Sequence, residues 1–267
     1  MHFSVLMSLY LKEKAEYFSM CLQSIYDQSV SATEVIIVED GPLTSELYEV
    51  LDCWELKLPI KRIVLESNLG LGRALNEGLK HCTNDIVARM DTDDICDLTR
   101  FEKQLSIIMN NDIDVCGSWV SEFDKSPNVI ESTRVLPEFH AEIEKFSYLK
   151  NPMNHPSVMY RIDKVKSVGG YDDVLFFEDY FLWLKLISSG AIFYNIQEPL
   201  VNMRAGLNQL SRRSGFSYAT YEFKFLLKSW HFGFFSFFQF SRNTILRVPL
   251  RLFPSFILKR IYQVNRK

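Results

Sequence analysis

Four short apolar runs in the first ninety residues, each followed by a segment of helical periodicity, restrict this chain more than any other feature. Phe3 to Tyr10, Val35-Ile36-Ile37-Val38, Ile60 to Leu65 and Ile86 to Met90 read as strands, rich in β-branched residues and bounded by breakers such as Glu39-Asp40-Gly41-Pro42. Between them, Ala15, Phe18, Leu22 and Ile25 recur at helical spacing. Further helices are predicted around Ser45 to Trp54, behind Asn68-Leu69-Gly70, and over Leu98 to Met109. This strand–helix alternation predicts an α/β chain with a mostly parallel sheet and helices on both faces. In such sheets a ligand binds beyond the carboxyl ends of the strands, which is where functional residues are sought.

Two acidic clusters lie at such ends. Asp91-Thr92-Asp93, followed by Asp94, stands directly behind Ile86 to Met90. Carboxylates spaced i, i+2 on an extended backbone point to one side, and two such charges call for a cation, usually a hard metal with oxygen ligands. A calcium-binding EF-hand loop does not fit, because counting from Asp91 puts Cys96 where that loop needs glycine. Helix capping accounts for Asp97 before Leu98 but leaves Asp91 and Asp93 unexplained. The second cluster is Glu39-Asp40. The turn Asn68-Leu69-Gly70-Leu71-Gly72 opens a helix whose start favours anions, although it is neither a P-loop nor a dinucleotide fingerprint. Farther on, Glu178-Asp179 precedes the apolar run Phe181 to Ile187, and acids at the mouth of a buried helix must cap it or face a cleft or partner.

The chain has 267 residues, 47% hydrophobic and 24% charged, as an ordinary globular protein does. Five scattered cysteines without a C-x-x-C pair argue against a disulfide framework or a zinc knuckle. The beginning Met1-His2-Phe3-Ser4-Val5 lacks a basic n-region, so a cytosolic catalytic part is expected. The net charge of −3 hides an asymmetry. Phe223 to Lys267 carries nine Lys and Arg and no acid, which leaves −12 on the preceding residues. The same tail holds ten of the 21 phenylalanines, and its longest charge-free stretch, Ser229 to Ser241, is shorter than the ~20 residues of a spanning helix. It is expected to be helical and to lie on an anionic membrane surface. On that reading a chain ending near Glu222 stays soluble. A basic helix pair packed on the domain is the competing interpretation. Nucleic acid is disfavoured by the acidic main body.

The series Glu39-Asp40-Gly41, Asn68-x-Gly70 through Ala74-Leu75-Asn76-x-Gly78, Asp91-x-Asp93-Asp94, Gly169-Gly170-Tyr171 and Glu178-Asp179-Tyr180 resembles family 2 glycosyltransferases of bacterial O-antigen, capsule or exopolysaccharide type. The resemblance covers about residues 1–205 and implies a GT-A, Rossmann-like catalytic domain, with residues 206–267 as lid and membrane-associating tail. It further implies that Glu39 or Asp40 contacts the base or ribose of a nucleotide-sugar donor, with Asn68 near the nucleotide. The family more often has two Asp at the first position, which leaves open which acid reads the base. By the same resemblance Asp91 holds the ribose side, and Asp93 with Asp91 binds Mn²⁺ or Mg²⁺ in a DxD motif. Asp179 is the general base with Glu178 beside it, and Arg204 is close to the diphosphate. His155 is an acceptor-side residue or a structural histidine, and Arg212 and Arg213 belong to a lid.

The implied activity is inverting transfer of a sugar from a nucleoside-diphosphate sugar, UDP by preference, to a hydroxyl of a polyprenyl-diphosphate-linked glycan at the cytoplasmic face of the inner membrane. Two rivals stand against it. A sugar-phosphate nucleotidyltransferase would show a Gly-rich basic loop near residue 10, and Ser8 to Ala15 contains no glycine. A non-catalytic, membrane-docked binding protein would not need the full set of carboxylates.

Overall fold

The computed structural model describes residues 2–205 and 214–253. The alternating first part forms as its pattern predicts: β1 (Ser4–Leu9), α1 (Ala15–Tyr26), β2 (Glu34–Glu39), α2 (Ser45–Glu55), β3 (Ile60–Val64), α3 (Leu71–His81) and β4 (Ile86–Arg89). Thr44 caps α2 by accepting from the Leu47 N–H, as a threonine at that position does. Strands β3, β2, β1 and β4 lie side by side and all parallel.

Beyond β4 the chain departs from the parallel expectation. The short β5 (Ile95–Cys96), α4 (Arg100–Asn110), β6 (Val115–Phe123), β7 (Ser132–Arg134), α5 (His140–Ser147), a 3₁₀ turn (His155–Ser157), β8 (Met159–Arg161), α6 (Ile162–Ser167), α7 (Glu178–Ser188) and β9 (Phe193–Arg204) follow. The sheet has nine strands in the order β3-β2-β1-β4-β8-β6-β9-β5, with β7 paired on β6. Strand β8 is antiparallel to both β4 and β6, β5 is antiparallel to β9, and β7 to β6. The sheet is therefore mixed, and the expected mostly parallel sheet is corrected. The physical reason is local: after β4, strands such as β5 and β8 are only two or three residues long, and each pairs antiparallel to its neighbours.

Burial alternates along the central strands and makes two cores. Val5, Met7, Leu9, Val35 and Ile37 pack under α1, α2 and α4, whereas Leu6, Ile36, Val38 and Val87 pack under α3, α6 and α7. Strand β9 is parallel to β6, which is antiparallel to β8, itself antiparallel to β4. The end of β9 at Arg204 therefore emerges on the same edge as the ends of β1, β2 and β4.

A third core joins the C-terminal helices α8 (Phe216–His231) and α9 (Phe237–Arg251) to the body. Phe225, Leu226 and Phe235 are buried against Phe177, Tyr180, Phe181 and Leu184. A chain ending near Glu222 would lack Phe225, Leu226 and Phe235 and so would lose part of this core. Nor is the tail's charge without an acid. Glu222, at the edge of the basic segment, is fully buried and pairs with Arg247 at 2.7 Å and Arg251 at 2.5 Å. Among the described residues no helix is long and apolar enough to cross a membrane.

Candidate active site

At the end of β2 both acids are buried and engaged. Glu39 is ion-paired with Arg62 of β3, whose guanidinium lies over the Tyr48 ring. Asp40 accepts from the Leu69 N–H at 2.6 Å and the Gly70 N–H at 3.0 Å, while Asn68 Nδ2 donates to the Asp40 carbonyl at 3.1 Å. Gly41 has φ +87°, and a Cβ there would stand 2.7 Å from the Asn68 nitrogen. This backbone crossing explains why the breaker Gly41 and the Asn68 turn occur together. Asn68 itself is exposed on the edge.

The turn after β4 gathers charge. Asp91 is partly exposed and pairs with Arg89, whose side chain is only 1% exposed. Asp93 is raised to about 7 by burial, then by Asp91 and Glu13. Glu13 reaches this turn from the loop after β1, accepting from the Thr92 hydroxyl at 2.7 Å. Asp94 is buried; Oδ1 accepts from the Arg204 N–H at 2.8 Å, and Oδ2 has no partner among the described residues. Burial, then Asp93 and Asp91, push its carboxyl well up. The Arg204 guanidinium stacks on Tyr17 at 3.6 Å and Phe123 at 4.6 Å, and its Nε donates to the Asp93 carbonyl at 3.3 Å. A permanent cation is thus held beside the acids by two aromatic faces.

The other acids open α7. Glu178 is raised to about 7, by burial and by the Asp179 charge. Asp179 Oδ2 accepts from Asn151 Nδ2 at 2.6 Å and Oδ1 from the Tyr180 N–H at 2.7 Å. The approach of α3 to this helix needs Gly72, where a Cβ would meet Glu178 Cγ at 3.2 Å. Asn76 of α3 clamps the Gly170-Tyr171 segment in both directions, donating to the Tyr171 carbonyl at 2.7 Å and accepting from its N–H at 2.8 Å. Tyr171 ties the two acidic groups together: Asp91, Asp179 and Arg89 all act on its phenol, which burial raises beyond the usual range. His155 Nε2 bonds the Tyr171 hydroxyl at 3.0 Å, and its ring meets Trp183 edge-on. Burial, then Arg89, drives its imidazole well below the usual value, so His155 is neutral.

Asp91, Asp93, Asp94 and Arg204 are therefore brought together, and Tyr171 connects them to Asp179. Glu39, Asp40 and Asn68 form a separate wall on the same edge. Arg212 and Arg213 lie outside the described residues. Sequence reasoning missed Glu13, Arg89 and Asn151, and gave Tyr171 no role beyond its place in a motif. One signal was available: a charge inside the apolar run Ile86-Val87-Ala88-Arg89-Met90 requires a buried partner. Among the described residues no group of three or more His, Cys, Asp or Glu side chains forms a complete metal cage. Asp91 and Asp93 supply hard oxygen donors, and Asp93 is raised first by burial and then by the neighbouring Asp91 and Glu13 carboxylates. They fit a cation that takes its remaining ligands from a diphosphate, not one held by protein alone.

Residues 4–168 match Glycosyl transferase family 2. The amylovoran biosynthesis glycosyltransferase AmsE of Erwinia amylovora is 40% identical over 99% of this chain and 99% of its own. An Escherichia coli UDP-Gal:alpha-D-GlcNAc-diphosphoundecaprenol beta-1,3-galactosyltransferase is 40% identical over 98% of this chain and 95% of its own. The fold is shared with the mannosyltransferase PcManGT of Pyrobaculum calidifontis, solved with GDP-Man and Mn2+, at a TM-score of 0.67 and 16% identity over 94% of this chain and 72% of that one. The chain belongs to glycosyltransferase family 2 and is a glycosyltransferase homologous to bacterial enzymes of surface-polysaccharide synthesis.

Proposed function

We propose that this glycosyltransferase inverts the donor's anomeric centre, transferring a sugar from a UDP-sugar to a hydroxyl of a polyprenyl-diphosphate-linked glycan. The observation that supports this reading is that Asp91 and Asp179 both act on the buried Tyr171 phenol, while Asp93 and Arg204 share the turn of Asp91. Asp179 takes the proton of the acceptor hydroxyl as that oxygen attacks the anomeric carbon and the bond to the diphosphate breaks. Arg204, held on its aromatic supports, faces the charge that grows on the leaving group. Mn²⁺ or Mg²⁺ held by Asp93 and Asp91 would supply Lewis-acid stabilisation of the diphosphate when bound. Glu39 and Asp40 shape the nucleotide wall with Asn68, and His155 shapes the acceptor side through Tyr171.

The lipid-linked acceptor is supported by the diphosphoundecaprenol acceptor in the name of the Escherichia coli relative. On this reading the enzyme works at the cytoplasmic face of the inner membrane, with residues 1–205 as GT-A catalytic domain and 206–267 as lid and tail. Phe237, Phe238, Ile245 and Leu246 are 57–74% exposed on α9 and supply the apolar contact with an anionic leaflet. A panel of nucleotide sugars tests the activity. A UDP-sugar should raise the melting temperature only with Mn²⁺ or Mg²⁺ and should add one sugar to a lipid-diphosphate acceptor by mass spectrometry, with no metal-dependent shift in Asp93→Ala. Stabilisation by nucleoside triphosphates instead would favour a nucleotidyltransferase, and no response to either would favour a binding protein.

A further inference from the structure

Asn151 lies in the segment between α5 and the 3₁₀ turn. Its Nδ2 donates to Asp179 Oδ2 at 2.6 Å, and its Oδ1 accepts from the Met153 N–H at 3.3 Å. The second bond fixes which end of the carboxamide meets the acid. Together with the Tyr180 N–H on Oδ1, the Asn151 bond sets the plane of the Asp179 carboxylate.

That segment is itself fastened by the C-terminal helix α9. The last carbonyls of α5 and the residues after it have no intrahelical donors and need partners. Tyr148 O accepts from Arg242 Nη2 at 2.9 Å and from Asn243 Nδ2 at 3.0 Å, and Leu149 O accepts from Arg247 Nη1 at 3.2 Å. Asn243 is buried, the one residue of α9 so described. Helix α9, which looks like an appendage, thus holds the strap that aims the carboxylate.

We propose that Asn151 is the positioning residue of Asp179, and that Arg242, Asn243 and Arg247 of α9 keep it in place. This rests on Asp179 being the base. A carboxylate that must meet an acceptor hydroxyl in line loses rate steeply when misplaced, by about 100-fold for an ångström. Among the charged or titratable groups that face Asp179 are Glu178 on its own helix and Tyr171 and Tyr180 beside it. Asn151 adds a side-chain donor on Oδ2 to the Tyr180 N–H on Oδ1.

The test measures kcat, KM and the pH profile of transfer from the UDP-sugar selected by the donor panel, with UDP binding in Mn²⁺ by calorimetry. Asn151→Ala should lower kcat by about 10- to 100-fold while UDP affinity stays within about two-fold. Asn151→Asp, nearly isosteric, replaces the donor by a like charge. It should move the acid limb of kcat upward by about one pH unit, and it keeps the test readable should the alanine variant not fold. Asn243→Ala should lower kcat several-fold without changing UDP affinity, Arg242 still holding Tyr148. Wild-type kcat in Asn151→Ala, or an unmoved acid limb in Asn151→Asp, in an enzyme that Asp179→Asn inactivates would overturn the positioning role alone. Transfer at the wild-type rate by Asp179→Asn would remove the base, and this role with it.

Discussion

At the scale of single residues, the site is a set of carboxylates kept in tension. Burial and the Asp179 charge raise Glu178 to about 7, so the folded protein binds its proton more tightly than the unfolded chain does. The sign follows: below the unfolded value of 4.5 the group is neutral in both states, and as pH rises toward 7 the folded state alone resists ionisation and loses stability. Glu178→Gln should therefore melt like wild type near pH 4.5 and be more stable at pH 8, by about 1–2 kcal/mol after allowance for solvent. Calorimetric melts at the two pH values check this, and equal melting at both would contradict it. The Asn76 clamp gives a second expectation. Asn76→Ala strips two backbone partners from Tyr171 and should cost about 1–3 kcal/mol in urea unfolding. The acids were legible because charges that interrupt or follow apolar runs are conspicuous. Asn151 and Asn76 were not, since an asparagine in a loop or on a helix carries no sign of what it bonds across the fold.

At the scale of elements, the parallel half of the sheet was legible and the rest was not. Strands β1 to β4 announce themselves by β-branched runs separated by helical periodicity. The two-residue β5 and three-residue β8 are too short for any period to emerge, and they carry the antiparallel pairings that make the sheet mixed. The tail was half legible. Its composition showed basic and aromatic residues, but composition does not reveal direction: Arg247 and Arg251 turn inward to Glu222, and Lys228 to Asp172. Two sets of aromatic residues should accordingly behave differently. Phe225 stacks on Phe177 and Tyr180, both at 4.8 Å, and Phe225→Ala should cost about 3–5 kcal/mol in denaturant unfolding. Phe237 and Phe238 are 66% and 74% exposed, so replacing both by serine should leave unfolding nearly unchanged and reduce co-sedimentation with anionic vesicles. Undiminished vesicle binding would remove α9 from the membrane contact.

At the scale of the whole molecule, one edge of a mixed sheet collects the ends of β1, β2, β4 and β9, and α7 sets its acids against them. The C-terminal helices pack on α7 through Phe177, Tyr180, Phe181 and Leu184, so the proposed membrane-facing part and the helix carrying the proposed base share a core. The central claim is that Asp179 acts on the acceptor and not in donor binding. Its most direct measurement compares wild type and Asp179→Asn in donor affinity by calorimetry with Mn²⁺ and in the single-turnover rate of sugar transfer. Unchanged donor affinity with a rate lower by about 10²–10⁴-fold is the expected result, the range of a lost general base. A rate within ten-fold of wild type would contradict the claim.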